Sequence, residues 1–89
     1  MNATRLARWL LLGLLFLPAQ TLPALAQSAQ AVAQEGIEAY RAGDYEAAAA
    51  AWRQLIGLQP DNPDAHNNLG APLYFLGDLA GSAAAYRQA

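Results

Sequence analysis

The sequence predicts an all-α fold built from antiparallel helix-turn-helix repeats, the units of an α-solenoid. Three observations carry this reading. Two stretches, "GDYEAAAAAWRQLIGLQP" from Gly43 and "GDLAGSAAAYRQA" from Gly77, present Gly, Asp, small residues, an aromatic and Arg-Gln in the same order. They stand 34 residues apart, and the same offset links Gly36 to Gly70, Trp52 to Tyr86, Arg53 to Arg87 and Gln54 to Gln88. A fixed period of this length marks an architecture in which each repeat is one supersecondary hairpin. Finally, apolar residues recur three or four apart, and no stretch shows the strict alternation of a strand.

The chain opens with "MNATRLARWLLLGLLFLPAQTLPALAQ". Arg5 and Arg8 make a cationic start, Trp9 to Leu17 carry no charge and are rich in leucine, and Pro18 to Ala26 form a proline-broken tail. Ala24-Leu25-Ala26 has the small-x-small form that a signal peptidase accepts, because only small side chains fit its subsites. Residues 1–26 are therefore read as a signal peptide cut between Ala26 and Gln27. The mature chain, residues 27–89, is expected outside the cytoplasm, periplasmic or secreted. The alternative is retention as a membrane anchor. A span needs about 20 apolar residues, and Pro18, Gln20, Thr21 and Pro23 interrupt this one earlier. Leu6 and Ala7 separate the arginines, so the twin-arginine signal is not present.

From Gln27 the first helix is favoured by Ala31, Glu35, Ala39 and Ala42, with Val32, Ile37 and Tyr40 as apolar positions. Gly43 permits the left-handed residue that ends a helix, and Asp44 can cap the next one by accepting an amide hydrogen bond. In the second helix Tyr45, Ala48, Trp52, Leu55 and Ile56 share one face. Gln59 to Asn62 break it. Asn62-Pro63 then reads as a start signal, a capping asparagine before a proline whose missing N–H costs nothing at that position, and Asp64 adds a favourable charge to the first turn. The third helix is expected to reach Leu76. Gly77-Asp78 repeat the earlier turn and the fourth helix begins at Leu79. Pro72 falls inside the third helix, where it removes the amide bond to the carbonyl of Asn68, so a kink or a late helix start is expected near it.

Charge and composition exclude several functions. Residues 27–89 hold three arginines, seven acids and no lysine, a net charge of −4. That is a poor surface for nucleic acid, which needs clustered cations. There is no cysteine, so thiol catalysis, disulfides and thiolate metal sites are out. His66 is the sole histidine; at a core-facing position with no placed partner it reads as packing rather than catalysis. Asp61-Asn62-Pro63-Asp64 lacks the alternating oxygen ligands and terminal glutamate of a calcium loop. Glu38 and Arg41, three apart, suggest an exposed ion pair. No catalytic residues, metal or cofactor are expected, and the chain is not read as an enzyme.

"EGIEAYRAGDYEAAAAAWRQLIGLQP" and "NLGAPLYFLGDLAGSAAAYRQA" together resemble successive tetratricopeptide repeats, each a 34-residue helix pair. Gly36, Ala48, Trp52 and Pro60 in the first unit fall where that motif has its small, bulky and helix-ending residues. In the second unit Leu69, Gly70, Leu73, Ser82, Tyr86 and Ala89 do so. Repeat 1 covers about 29–62 and repeat 2 about 63–89, the second being truncated. Val32 and His66 depart from the motif where a large aromatic is usual, Ala39 is small and Leu55 large where the reverse is common, and Pro72 is foreign to it. The small Gly36 and Ala48 are expected to let two helix backbones approach while Trp52 fills the space beside them, which makes the alanine run packing surface rather than filler.

The resemblance implies a protein-interaction scaffold whose first helices line a concave groove for a peptide or protein partner. The groove positions are Gln30, Ala33, Ile37, Tyr40 and Arg41, then Asp64, Asn67, Ala71, Tyr74 and Phe75. Tyr40, Tyr74 and Phe75 are the candidate anchors, since aromatics dominate binding hot spots; alternatively they pack against neighbouring helices. The carboxylate-binding form of this family needs groove lysines, which are missing here. Two other readings stay open: a self-assembling structural unit, and the front of a larger exported repeat protein with a downstream domain.

Overall fold

The two Gly-Asp pairs each do the same two jobs, closing one helix and opening the next. Gly43 and Gly77 have φ of 78° and 85°, the left-handed region that favours glycine. The amides of Gly43 and Asp44 donate to the carbonyls of Tyr40 (3.0 Å) and Ala39 (2.9 Å), and those of Gly77 and Asp78 donate to Tyr74 (3.0 Å) and Leu73 (2.9 Å). This is the Schellman pattern, which satisfies carbonyls that a helix end would leave unpaired. The aspartates then turn to the following helix: Asp44 Oδ1 accepts from the Ala47 amide at 3.1 Å, and Asp78 Oδ1 from the Gly81 amide at 2.9 Å.

The structure, a computed structural model, describes residues 28–89; the cleavage site between Ala26 and Gln27 lies outside the described residues. Four helices succeed one another: α1 (residues 28–41), α2 (Tyr45–Leu58), α3 (Pro63–Phe75) and α4 (Leu79–Gln88). Among the described residues there is no strand, and the fold is an all-α helical repeat. The α2–α3 connection is pinned at both ends. Asn62 Oδ1 accepts from the amides of Asp64 (3.0 Å) and Ala65 (3.3 Å), and its Nδ2 donates to Gln59 Oε1 at 2.9 Å.

The alanine run is where α2 is gripped. Ala48, Ala49 and Ala51 are buried together with Trp52 and Leu55, while Ala47 and Ala50 face solvent. Side chains this short let α1 and α3 both close on α2 at no rotamer cost. The core continues through Ala29 and Val32 of α1, Ala65, Leu69 and Leu73 of α3, and Ala85 of α4. Ser82 stands one repeat after Ala48; its buried hydroxyl donates to the Gly70 carbonyl at 2.8 Å, so the polar group enters the interior satisfied.

Pro72 corrects one expectation. The helix does not start late but runs from Pro63 to Phe75 with the proline inside it, and the ring is fully buried. Packing of that ring offsets part of the broken amide bond. Pro72→Ala restores the donor and relieves ~3 kcal/mol, while the two ring carbons lost give up about 1.6 kcal/mol of burial at ~0.8 per CH₂. The net gain should raise the thermal midpoint by several degrees. A midpoint that is unchanged or lower would show that the packing around Pro72 outweighs the hydrogen bond.

Candidate functional site

Two glycines set how closely the two helices of each hairpin approach. A Cβ built on Gly36 would lie 2.7 Å from Trp52 Cε2, and one on Gly70 would lie 2.5 Å from Tyr86 Cζ. In each hairpin the aromatic of the second helix therefore lies flush against the bare backbone of the first. Trp52 and Tyr86 form part of the wall of a cleft of about 260 Å³, completed by Ile37, Tyr40 and Arg41 of α1 and Asn67, Asn68 and Ala71 of α3. The α1 residues fall at i, i+3 and i+4, so one helical face carries all three.

Five residues that the sequence placed in a groove, Ile37, Tyr40, Arg41, Asn67 and Ala71, are thus brought together. Three are not. Ala33 is half-buried and packs against the core. Tyr74 and Phe75 belong to an aromatic cluster: Phe75 stacks on Tyr45 with centroids 4.7 Å apart, while Tyr74 meets Phe75 edge-on at 5.6 Å. Tyr40 joins both features, since it lines the cleft and meets Tyr45 at 5.7 Å. Trp52, Asn68, Tyr86 and Tyr45 were missed as candidates. The first and third carried a signal in the repeat itself, because an aromatic over glycine recurs at the 34-residue offset. Asn68 carried none beyond its neighbour Asn67.

The cleft offers one cation, Arg41, two amide side chains and the surfaces of aromatic rings. Such a lining can hydrogen-bond a peptide backbone and shelter an apolar side chain. Its volume is below the usual ~300–1,000 Å³ of a small-molecule pocket, and suits one or two residues of a chain lying across it. His66 is half-buried, and its Nε2 lies 2.8 Å from the Pro60 carbonyl. A carbonyl only accepts, so Nε2 carries the proton and the ring fastens the α2–α3 connection. Glu38 accepts from Gln34 Nε2 at 3.2 Å on the exposed side of α1. Among the described residues no group of three His, Cys, Asp or Glu side chains could hold a metal ion, and no helix is long and apolar enough to cross a membrane.

No curated protein and no solved structure gives a significant match to the chain. The family model of the TPR repeat matches residues 36–77, from the glycine beneath Trp52 to the turn that opens α4, and this match supports the TPR family.

Proposed function

We propose that this chain is an exported interaction scaffold that holds an extended segment of a protein partner in the cleft between α1 and α3. TPR repeats are typically non-catalytic modules for protein–protein interaction, which supports the general class. The observation that carries the finer reading is the convergence of Tyr40, Arg41 and Asn67 on one cleft with Trp52 and Tyr86. Tyr40 and Asn67 are exposed and free to meet a partner, and a tyrosine beside an arginine is the composition of a binding hot spot.

Selection of a displayed random-peptide library on the mature chain tests this. Peptides should be enriched, and Tyr40→Ala and Asn67→Ala should each weaken their binding at least about tenfold, or ~1.4 kcal/mol. Both side chains are exposed, so the fold should survive either change. Failure to enrich any peptide, or equal binding by both variants, would sink the proposal. Export has its own check. N-terminal sequencing of the protein outside the cytoplasm should begin at Gln27 or within a residue or two, and a bulky residue at Ala26 should block processing.

A further inference from the structure

The charge of the cleft between α1 and α3 runs against that of the chain. Residues 27–89 carry seven acids and three arginines, yet no acid lines the cleft and one arginine does. The carboxylates nearest Arg41 in sequence are engaged elsewhere. Glu38 Oε1 accepts from Gln34 Nε2 at 3.2 Å, and Asp44 Oδ1 caps α2 through the Ala47 amide at 3.1 Å. Arg41 is exposed and is not repeated, since Phe75 stands 34 residues on. The cleft therefore offers one guanidinium at one place, and its planar fork matches a carboxylate.

The other end of the cleft carries the opposite sign. Asp64 is exposed in the first turn of α3. Asn67, Asn68 and Ala71 follow it at i+3, i+4 and i+7, so Asp64 extends the face of α3 that lines the cleft. The C-terminal ends of α1 and α3 meet, with the ring centroids of Tyr40 and Phe75 6.4 Å apart. Arg41 thus lies at one end and Asp64 at the other. Each charge also suits its own helix end, which accounts for its sign but not for its place on the cleft face. Between them stand Asn67 and Asn68, whose amides both donate and accept, as a peptide backbone does.

We infer that the cleft selects a dipolar segment, an extended stretch of a partner protein with an acidic side chain on Arg41 and a basic one toward Asp64. From Asp64 to Phe75, the position in register with Arg41, α3 rises about 16 Å at ~1.5 Å per residue. An extended chain crosses that span in about five residues at ~3.3 Å each, so the acid and the base stand about five residues apart. A run of acids is disfavoured, because Asp64 repels its far end. The inference rests on the cleft holding a partner segment and adds which segment it selects.

Selection of a displayed random-peptide library on the full chain as cells produce it, and in parallel on Arg41→Glu and Asp64→Asn, tests this. Peptides held by the parent should pair Asp or Glu with Lys or Arg at this spacing at least about tenfold more often than the unselected library. A parent-selected peptide should bind Arg41→Glu at least about tenfold more weakly, since like charges in contact repel. Changing its acid to lysine should recover binding to that variant. Asp64→Asn should lose the preference for the base and keep that for the acid. Both side chains are exposed, so the variants should keep the parent's helicity by circular dichroism. Enriched peptides without this pairing, or a parent peptide that Arg41→Glu holds equally well, would overturn the inference while leaving the cleft a peptide site. Enrichment of no peptide would end both. Peptide binding lost as the chain's own concentration rises would put a second copy in the cleft and overturn it too.

Discussion

Trp52→Ala is expected to abolish cooperative unfolding. Of the eleven buried hydrophobic residues in the core among the described residues, six are alanine, and alanine hides little apolar area. Trp52 stands at the centre of that core, 4% exposed and pressed on Gly36, and truncating a buried tryptophan costs about 3–5 kcal/mol. At roughly 0.05–0.15 kcal/mol per residue, a domain of the size described here has about that much stability in total. Thermal and urea unfolding followed by circular dichroism should show a broad, early loss of helix in Trp52→Ala and a milder shift in Trp52→Phe. A sharp melt within a few degrees of the parent would mean that the core is held by the helix backbones and not by this ring. Because Trp52 also lines the cleft, the same substitution should remove peptide binding.

Adding a single methyl at each of the two glycines should separate the hairpins. Gly36→Ala and Gly70→Ala both place a Cβ at an impossible distance from an aromatic ring, 2.7 Å from Trp52 and 2.5 Å from Tyr86. Distance alone would make Gly70 the worse site. Freedom of the neighbour reverses the order. Trp52 is enclosed by α1, α2 and α3 and has nowhere to go, so overpacking at Gly36 should cost about 1–3 kcal/mol. Tyr86 is nearly half exposed and can swing toward solvent, while alanine gains up to ~1 kcal/mol over glycine in a helix interior. Gly70→Ala should therefore be close to neutral in urea titrations, with its effect confined to the cleft wall that Tyr86 forms. Equal destabilisation at both positions would contradict this account.

These two substitutions also bear on how much of the molecule is legible in its residue order. An aromatic over a glycine at a repeating interval is written in the residue types and their spacing, and both contacts appear where the period placed them. The groove was legible only in part. Ile37, Tyr40, Arg41, Asn67 and Ala71 line one cleft because they sit on the facing sides of α1 and α3. Tyr74 and Phe75 share the face of Ala71 but lie one turn further along α3, past the cleft. Phe75 then finds a better neighbour in Tyr45, a residue of α2 whose ring no local pattern assigned to it. Leu73, two residues beyond Ala71, turns instead into the core.

What the sequence determined by itself was local. Gly43, Asp44, Asn62, Pro63, Gly77 and Asp78 fix where helices stop and start, because a positive φ and an orphan amide are demands that one or two residues satisfy. The pairing of small and large residues across each hairpin is set by the 34-residue period. Only the tertiary structure decided which hairpin face is covered. On the first hairpin Phe75 of α3 stacks on Tyr45 of α2, a pairing that no spacing within either helix assigns. It likewise decided that Pro72 stays inside a continuous helix, since burial of its ring offsets part of a backbone penalty that the residue order alone would charge in full.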